Sequence, residues 1–453
     1  MGESLGESAP LIVSVSGIRG IVGASLTPTV VTNFAAAFGT PRSGKRIVVS
    51  RDGRGTGEML RSATIAGLLA VGCEVEDIGI ASTPTCGFYV KATGAAGAIQ
   101  ITASHNPPPW NGLKLFRPEG FVLSPSAGQK VADDYAVNRW TFVPWDGIRS
   151  VKTVAEPHRL LLDRVLSLVD VNAIRNRKFR VVLDANHGSG AVFGPKLLDE
   201  LGCEVHVLGG IADGKFEHQP EPTEANLTGL CDAVRQRGAD LGFATDPDAD
   251  RLAIVDDQGT YIGEEYTLAL AIRHRTATEK GPVVINSSTS RVSQDVATGA
   301  GCPVYRTKVG EVHVAERMVA ERALIGGEGN GGVIDPRVVL GRDSAIGMAL
   351  TLELLTKAKA SLSEYMRSMP AYAIQKDKFP VHRDRLGESL ARIKKEFSDG
   401  ALDESDGLRV DWEDGWVQVR ASNTEPIVRV IAEARQAERA RQLCERVAKW
   451  VTG

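Results

Sequence analysis

The sequence predicts an α/β protein with three consecutive mixed α/β domains of related topology and a smaller C-terminal α+β domain. Up to about residue 366, short apolar runs alternate with helical patterns, as in chains that build mixed or parallel sheets. From about residue 367, closely spaced strand patterns predict an antiparallel sheet instead. The first three segments share their alternation and a similar length, which hints at repeated units.

In the first segment, strand patterns lie at 46–50 and 97–103, and a helical pattern lies at 57–71. Thr56 stands directly before that helix, where a hydroxyl can cap the first backbone N–H groups. A stretch that contains Pro and Trp, at about 139–156, indicates a boundary between domains.

The second segment begins its sheet with a strand pattern at 179–184 and ends with the apolar runs 241–243 and 252–255. The third segment contains strand patterns at 283–286 and 304–310. Each run is short and apolar, which is typical of buried strands.

The fourth segment contains strand patterns at 408–412, 416–419 and 427–434, and a closing helix is predicted over 437–451. A Glu-Asp-Gly turn separates the first two strands, as expected for a hairpin. The four predicted domains, in order, are 1–146, 147–255, 256–366 and 367–453.

Composition excludes several classes of protein. The chain has 453 residues, 43% of them hydrophobic, and a net charge of −3, which provides no basic field for nucleic acid. The six cysteines are scattered without a Cys-x-x-Cys pair, so neither zinc nor a disulfide framework is indicated. No apolar run approaches the 18 residues or so of a membrane span, and the cytoplasm is the expected location.

One serine stands where a nucleophile can act. Ser104 follows the strand pattern 97–103, with His105 beside it, and the run 107–109 is Pro-Pro-Pro, which excludes a helix or a continued strand. The carboxyl edge of strands in open α/β sheets is where ligands bind. A surface turn rich in Ser, Asn and Pro is the alternative interpretation.

A second motif places three carboxylates at alternate positions after an apolar strand pattern: Asp246, Asp248 and Asp250. Packed closely without a cation they repel one another, whereas a hard divalent ion such as Mg²⁺ or Mn²⁺ removes the conflict. The pattern is not an EF-hand, because Arg251 replaces the glycine and Asp257 replaces the final glutamate. A solvated acidic turn remains the alternative.

The segment 420–426 reads Arg-Ala-Ser-Asn-Thr-Glu-Pro between two strand patterns. An arginine fork, two hydroxyls and an amide in one turn suit a phosphate dianion. An ordinary hairpin connection is the alternative.

The segment 326–332 is predicted to be a flexible glycine-rich turn that carries one carboxylate, Glu328. It has neither the Lys-Ser/Thr of a P-loop nor a dinucleotide-binding fingerprint. A carboxylate repels phosphate but accepts hydrogen bonds from sugar hydroxyls. Lys308, at the end of a strand pattern, is a further candidate contact to phosphate or sugar.

In this order and spacing, the four motifs resemble those of the α-D-phosphohexomutase superfamily, which includes phosphoglucomutases, phosphomannomutases and phosphoglucosamine mutases. The resemblance covers nearly the whole chain. It implies a four-domain enzyme with one motif per domain around a central cleft. It also implies that phosphate moves between C6 and C1 of a hexose through a phosphoserine and a sugar bisphosphate. The implied cofactors are one Mg²⁺ ion per chain and a hexose 1,6-bisphosphate as activator.

The resemblance also assigns roles to single residues, with Ser104 as the phosphoserine, Lys114 as the general acid/base and His105 in support. The catalytic set it implies is Ser104, His105, Lys114, Arg19 and Arg251. The metal ligands are Asp246, Asp248 and Asp250, together with the phosphoryl group carried by Ser104. The implied substrate-binding residues are Glu328, Asn330, Lys308, Arg420, Ser422, Asn423, Thr424 and Arg429.

Two departures from the family pattern bear on the substrate. Many members carry Gly-Glu-x-Ser-Gly-His in the sugar loop, whereas this chain has Glu-Gly-Asn-Gly-Gly over 328–332, which resembles an archaeal-type subgroup. Ser16 stands where typical bacterial phosphoglucosamine mutases have Asp. The resemblance favours conversion of glucosamine 6-phosphate to glucosamine 1-phosphate, with phosphoglucose and phosphomannose as alternatives.

Two other function classes remain open from the sequence. A metal-dependent sugar phosphatase would share the serine and the aspartates but would not need a second phosphate-binding loop. A non-catalytic sugar-phosphate-binding protein would not need Ser104, Lys114 or the aspartates intact. In every case the expected partner is a small hexose phosphate, not a nucleic acid or a membrane, and the oligomeric state is unknown.

Overall fold

The computed structural model describes residues 10–14, 17–380, 383–421 and 427–451. Within these ranges the strands form three mixed or parallel sheets flanked by helices and one C-terminal antiparallel sheet, which confirms the predicted fold class. The chain divides into two compact units. Unit 1 comprises Met1–Ala271 and Gly331–Arg367, and unit 2 comprises Ile272–Asn330 and Ser368–Gly453. The four predicted domain boundaries stay a prediction.

The first sheet brings its N-terminal hairpin beside the strand that follows the serine loop. Its strands are β1 (Ile12–Ser14), β2 (Gly17–Ile21), β3 (Arg46–Arg51), β4 (Glu74–Ile80), β5 (Ala98–Ile101), β6 (Trp110–Phe116) and β7 (Val151–Thr153). They lie in the order β1-β2-β6-β5-β3-β4-β7, with β2 and β5 antiparallel to β6. The helices of this region are α1 (Pro28–Gly39), α2 (Gly57–Ala70), α3 (Thr83–Thr93) and α4 (Pro125–Ala136). In this register Lys114 lies opposite Gln100 and Arg19 lies opposite Gly112, so both cationic residues are on adjacent strands.

The second sheet presents the acidic motif in a turn. Its strands are β8 (Arg180–Asp184), β9 (Glu204–Leu208), β10 (Leu241–Thr245) and β11 (Leu252–Val255), in the order β11-β10-β8-β9. The helices are α5 (Arg159–Leu166), α6 (Val171–Arg177), α7 (Gly190–Glu200) and α8 (Thr228–Arg237). Because β10 and β11 are antiparallel neighbours, the connection 246–251 turns back at one edge of the sheet.

The third region contains three parallel strands whose ends meet. Its strands are β12 (Val283–Asn286), β13 (Val304–Thr307), β14 (Ile325–Glu328) and β15 (Gly332–Ile334). Its helices are α9 (Glu264–Thr278), α10 (Arg291–Gly299), α11 (Glu311–Glu321), α12 (Ser344–Ala358) and α13 (Leu362–Met366). Since β12 lies parallel between β13 and β14, the final residues Asn286 and Glu328 come to the same edge.

The fourth sheet is antiparallel throughout the described residues. Its elements are β16 (Ala373–Pro380), α14 (Arg383–Glu396), β17 (Ala401–Asp403), β18 (Leu408–Asp411), β19 (Gly415–Ala421), β20 (Ile427–Ala434) and α15 (Ala437–Val451). The strand order is β16-β20-β19-β18-β17. One face of the sheet packs its valines against α14 and α15 in a core that includes Val417, Val430, Phe397 and Leu443. Burial of each such side chain contributes about 1.5–3 kcal/mol.

One local prediction from the sequence is wrong, and a second is right only in part. Thr56 stands before α2 but does not cap it; its hydroxyl instead accepts a hydrogen bond from the Asn111 side chain (3.0 Å). The segment 326–332 is a turn only at 329–331, because its first three residues complete the buried strand β14. Glycine is needed there for space: a Cβ on Gly326 would lie 2.6 Å from the carbonyl oxygen of Val284.

The structure also contains elements that the sequence analysis did not identify, among them the β1–β2 hairpin, β16 and α14. Five of the six cysteines are buried, and Cys231 is half-buried. Among the described residues, no helix is both long enough and apolar enough to cross a membrane.

Candidate active site

Ser104 lies on the short connection that leaves β5, and its local geometry is tightly fixed. Its backbone takes the left-handed conformation (φ 49°), which is uncommon for a residue other than glycine. Its backbone N–H donates to the hydroxyl of Thr102 (2.8 Å), and that hydroxyl in turn donates to Asp52 (2.7 Å). The serine is 1% exposed in this structure. The surroundings thus hold a strained conformation at the predicted nucleophile.

The guanidinium of Arg54 is the main support of this connection. It donates to the backbone carbonyl oxygens of Ser104 (2.7 Å), Asn106 (2.6 Å), Pro107 (3.0 Å) and Trp110 (3.1 Å). Its Nε donates to the carboxylate of Asp52 at 3.1 Å, and the arginine is 2% exposed. One buried cation therefore satisfies three carbonyls of the irregular serine loop and the carbonyl of Trp110, the first residue of β6.

The acidic turn between β10 and β11 is organised by its first carboxylate. Asp246 Oδ1 accepts hydrogen bonds from the backbone N–H groups of Asp250 and Arg251, both at 3.1 Å. Ala249, in the middle of the turn, has a φ of 52°. The turn therefore directs the side chains of Asp246, Asp248 and Asp250 toward one another, and one ligand oxygen from each lies within 4.8 Å of the others.

The predicted nucleophile and the acidic turn meet in unit 1. The hydroxyl of Ser104 donates to Asp246 Oδ2 at 3.1 Å. All three aspartates are fully buried, at 0% exposure. Ser104, which follows β5, and Asp246, which follows β10, are thus directly hydrogen-bonded.

Cationic and hydroxyl groups from other elements of unit 1 contact the same carboxylates. Lys114 Nζ donates to Asp248 Oδ2 (2.9 Å) and Asp250 Oδ2 (3.0 Å). Arg342, between β15 and α12, donates to Asp250 Oδ2 (2.7 Å). Thr83, at the start of α3, donates its hydroxyl to Asp248 Oδ2 (2.6 Å). The acidic cluster is therefore surrounded by donors.

These contacts separate the pKa values of the three carboxyls. Burial raises the pKa of Asp246 well above its ordinary value, and the negative charges of Asp248 and Asp250 raise it further. Burial also acts to raise the pKa of Asp248, but the charge of Lys114 and the hydrogen bonds from Thr83, Lys114 and Asp246 together outweigh it, and the pKa is lowered. Burial and the charge of Asp248 act to raise the pKa of Asp250, but the positive charges of Arg342, Lys114 and Arg251 together lower it. Like charges packed without a divalent cation give this separation.

The donor set fits a hard divalent cation. Within the described residues, no hydrogen bond reaches Asp248 Oδ1 or Asp250 Oδ1, although both atoms are buried. A buried polar atom without a partner costs about 1–3 kcal/mol. Carboxylate oxygens are the ligands that Mg²⁺ and Mn²⁺ take in proteins. The three aspartates could therefore hold a metal ion.

Three further predicted catalytic residues are His105, which is next to Ser104, and Arg251 and Arg19, whose charges act on His105. His105 Nδ1 lies 3.3 Å from the serine hydroxyl. The positive charge of Arg251, and then burial, lower the pKa of His105 to about 2, so this imidazole is neutral. Arg251 donates to Glu221 (3.1 Å), and Arg19 donates to the Asn106 side chain (3.2 Å).

In unit 2 the carboxylate predicted to bind sugar is held at the end of β14. Glu328 Oε1 accepts hydrogen bonds from the side chain of Asn286 (2.8 Å) and from the backbone N–H of Gly310 (3.0 Å). Asn330 Oδ1 is buried, and no hydrogen bond reaches it from the described residues. Lys308 is exposed after the end of β13.

Two predicted phosphate-binding arginines face each other on β19 and β20. Arg420 and Arg429 are directly opposite in the antiparallel register, so their side chains emerge on the same face. Like charges in this arrangement repel, and a bound dianion would remove the repulsion. Arg420 Nε also donates to Asp406 Oδ1 at 3.1 Å. Ser422, Asn423 and Thr424 lie outside the described residues, as does Ser16.

The structure thus collects the predicted residues into one group in each unit. The group in unit 1 contains Ser104, His105, Lys114, Arg19, Arg251 and the three aspartates. The group in unit 2 contains Glu328, Asn330, Arg420 and Arg429, with Lys308 exposed. The functional roles of both groups stay predictions.

Sequence reasoning missed Thr83 and Arg342, which contact the aspartates directly. A weak local signal exists for Thr83, since a hydroxyl residue before proline follows the strand β4 at the start of α3. Arg342 precedes Asp343, whose side chain caps α12 by accepting from Ala345 N, so its position also follows from a helix start.

Comparison with known proteins places the chain among phosphate-transferring enzymes. Four consecutive domain models of phosphoglucomutase/phosphomannomutase match it. The alpha/beta/alpha domains I, II and III match residues 11–141, 160–259 and 263–372, and the C-terminal domain matches residues 378–449.

Whole-chain relatives agree with the domain matches. The chain is 38% identical to a phosphoglucomutase/phosphomannomutase of Thermococcus kodakarensis, over 95% of this chain and 96% of the relative. It is also 38% identical to a probable phosphoglucosamine mutase of Methanopyrus kandleri, over 94% and 95% of the two chains. Among solved structures, a phosphoglucomutase/phosphomannomutase family protein of Burkholderia thailandensis is similar, with a TM-score of 0.85, 27% identity and 97% of each chain covered.

Proposed function

Because the chain belongs to the α-D-phosphohexomutase superfamily, we propose that it interconverts glucosamine 6-phosphate and glucosamine 1-phosphate. The chain is a phosphohexomutase, that is, an isomerase that moves phosphate between C6 and C1 of a hexose phosphate. The choice of the amino sugar is supported by the probable phosphoglucosamine mutases among its relatives and by the Glu-Gly-Asn-Gly-Gly sequence at 328–332.

The observation that carries the mechanism is the contact between Ser104 and the acidic turn. In the proposed cycle Ser104 carries a phosphoryl group. A sugar hydroxyl oxygen attacks phosphorus, the bond between phosphorus and Ser104 Oγ breaks, and the electron pair returns to Oγ. The hydroxyl proton passes to Lys114 Nζ, which must first have given up the proton that it donates to Asp248 or Asp250 in this structure. The product of this step is a hexose bisphosphate.

The second half of the cycle reverses the first at the other end of the sugar. Ser104 Oγ attacks the phosphorus atom that was present in the original substrate, and the sugar oxygen regains its proton from Lys114. Phosphate has then moved between C6 and C1, and Ser104 is phosphorylated again. A hexose 1,6-bisphosphate would activate an unphosphorylated chain by entering the cycle at this step.

Charge on the transferring oxygens must be balanced. One Mg²⁺ ion held by Asp246, Asp248 and Asp250, with an oxygen of the phosphoserine, would neutralise that charge during transfer. Arg19 and Arg251 add positive charge beside Ser104, and the neutral imidazole of His105 orients its hydroxyl or phosphoryl group.

The residues of unit 2 bind the rest of the substrate in this proposal. The phosphate that is not reacting is bound by Arg420 and Arg429, together with Ser422, Asn423 and Thr424. Glu328 accepts a hydrogen bond from the sugar, either from a hydroxyl or from the ammonium at C2 of glucosamine. Asn330 and Lys308 supply further polar contacts.

The test is a mutase assay with Mg²⁺ and a trace of hexose 1,6-bisphosphate. It compares glucosamine 6-phosphate, glucose 1-phosphate and mannose 1-phosphate, with Ser104→Ala as the control. We expect glucosamine 6-phosphate to have the highest kcat/KM and the variant to lose isomerisation. A higher kcat/KM for glucose or mannose phosphate would overturn the choice of sugar. Net release of inorganic phosphate without isomerisation would indicate a phosphatase.

A further inference from the structure

Asp406 lies in the tight connection between β17 and β18, and its carboxylate joins two parts of unit 2. Oδ1 accepts from Arg420 Nε at 3.1 Å. Oδ2 accepts from the backbone N–H of Val309 at 2.8 Å and lies 3.5 Å from the hydroxyl of Ser287. One carboxylate therefore connects a predicted phosphate-binding arginine with the strand ends beside the predicted sugar-binding carboxylate.

The backbone brings this carboxylate to Arg420. Gly407, the next residue, has a φ of 76°, and a Cβ there would lie 2.3 Å from the carbonyl oxygen of Val419. Only glycine permits this close approach. The Gln418 side chain donates to the Asp406 carbonyl oxygen (3.1 Å) and to the Ser287 hydroxyl (2.8 Å), which fixes the turn from a second side.

The contacts continue from Asp406 to Glu328. Val309, which donates to Asp406, is followed by Gly310, whose N–H donates to Glu328 Oε1 at 3.0 Å. Ser287 follows Asn286, whose side chain donates to the same oxygen at 2.8 Å. Within the group of unit 2, Arg420 and Glu328 are thus linked through Asp406 and two short backbone segments.

We propose that Asp406 is a positioning residue that orients the Arg420 guanidinium for phosphate and couples it to the Glu328 sugar site. The ion pair engages Nε, so a planar guanidinium is fixed in rotation as well as in place. The Arg420 side chain is 22% exposed and that of Asp406 is 14% exposed, so solvent screens the pair only in part. This inference rests on the proposed function, because it takes Arg420 as a phosphate ligand.

The test measures binding without turnover. In a Ser104→Ala background, calorimetry gives the Kd of glucosamine 6-phosphate for Asp406→Asn, for Arg420→Ala and for the double variant. We expect about a tenfold weaker Kd for Asp406→Asn, because the Arg420 guanidinium loses its charged hydrogen bond and is no longer held in orientation for phosphate. On the Arg420→Ala background, Asp406→Asn should change Kd by less than about twofold, because it acts through the arginine.

Asp399→Asn is the matched control, since Asp399 is an exposed aspartate of the same domain. It should leave Kd unchanged. Thermal unfolding of each variant checks that the fold is retained. Should Asp406→Asn fail to fold, Arg420→Lys tests the same contact from the other side, because lysine keeps the charge but has no Nε–H fork. A Kd of Arg420→Lys equal to that of the parent would overturn the inference.

The outcomes separate this inference from the proposed function. Weaker binding in Arg420→Ala with unchanged binding in Asp406→Asn overturns the role of Asp406 alone. The same holds if Asp406→Asn weakens binding equally with and without Arg420. Unchanged binding in Arg420→Ala removes both the inference and the assignment of Arg420 to the phosphate, whatever the mutase assay shows.

Discussion

The hydroxyl of Ser104 donates a hydrogen bond to Asp246 Oδ2 at 3.1 Å, although the two residues are 142 positions apart in the chain. Each follows a strand of a different sheet, and each occupies the connection that leaves that strand. The contact brings the predicted phosphoryl carrier to the predicted metal ligands. Phosphoryl transfer depends on positioning and on charge neutralisation. This contact positions the serine, and it places the serine beside the carboxylates that are predicted to hold the neutralising cation.

The acidic cluster should bind a divalent cation, and removal of one carboxylate should weaken it. We expect Asp248→Asn to raise the Kd for Mn²⁺ by at least about tenfold, because metal affinity depends on the full set of charged oxygen ligands. Electron paramagnetic resonance of free Mn²⁺ gives the Kd directly, without an activity assay.

Asp146→Asn is the control for this measurement, because Asp146 is exposed and lies outside the cluster. It should bind Mn²⁺ as the unchanged protein does. Equal Mn²⁺ affinity in Asp248→Asn and in the control would mean that the aspartates do not form the metal site.

Arg54 should govern both stability and the rate of transfer. Arg54→Lys keeps the charge but cannot reach the carbonyl oxygens of Ser104, Asn106 and Pro107 together, so buried acceptors lose their partner. We expect the free energy of unfolding to fall by about 2 kcal/mol or more. We also expect kcat to fall by at least about tenfold with a smaller change in KM, because the serine loop loses its geometry.

Urea unfolding and steady-state kinetics measure the two effects. Arg51→Lys is the matched control, since the half-buried Arg51 pairs at 3.5 Å with the exposed Glu58 and donates to one backbone carbonyl, that of Asp52 (3.3 Å), instead of four. If Arg54→Lys and Arg51→Lys were alike in kcat, Arg54 would not position the nucleophile.

His105 should make the protein less stable in mild acid. Its pKa in the folded protein is lowered to about 2, whereas an unfolded histidine has a pKa of about 6.5. Between these values the unfolded state binds a proton that the folded state does not, so stability is lost as pH falls below about 6.5. We expect His105→Gln to remove up to about 2 kcal/mol of the stability change between pH 7 and pH 5.

This prediction is tested by urea unfolding of dephosphorylated protein in EDTA, because a phosphoryl group or a cation would change the field at His105. The difference in free energy of unfolding between the parent protein and His105→Gln at pH 7 gives the effect of the side chain itself. At pH 5 this difference should change by up to about 2 kcal/mol in favour of His105→Gln. Parallel curves for both proteins across this range would contradict a neutral, cation-flanked imidazole.

The sequence sufficed to predict residues at the ends of buried strands. Ser104 and Asp246 follow short apolar runs, and polar residues at such ends face the ligand edge of a sheet. The fourth sheet was also predicted, because its strands alternate and its turns carry glycine.

Partners distant in the chain could not be predicted in this way. Thr83 and Asp248 are 165 positions apart, and Arg342 and Asp250 are 92 apart. Local patterns report periodicity and turn chemistry, but they contain no information on which element packs beside which. The same limit explains Thr56, whose hydroxyl accepts from Asn111 on β6 rather than from its own helix.

The glycine-rich segment shows a different limit. Glycines are the usual signal of a turn, so the sequence predicts one over 326–332, whereas the turn in the structure is confined to 329–331. In the structure they allow β14 to pass close to its neighbours, since a Cβ on Gly326 would lie 2.6 Å from Met318 Sδ. Glycine is required both in flexible turns and where a strand packs closely against its neighbours. Only the tertiary structure shows which of the two reasons applies at a given glycine.

Glu328→Gln should show which group of the sugar this carboxylate contacts. The amide keeps the size of the side chain and can still accept from Asn286 and Gly310, so the end of β14 should stay in place. A carboxylate paired with the C2 ammonium of glucosamine is a charged contact, and its neutralisation costs more than loss of a contact to a hydroxyl. We therefore expect kcat/KM to fall by at least about tenfold for glucosamine 6-phosphate and by less for glucose 1-phosphate. Steady-state kinetics with both sugars measures the ratio, and Glu321→Gln on the half-buried end of α11 is the control. Equal losses for the two sugars would assign Glu328 to a hydroxyl that both share.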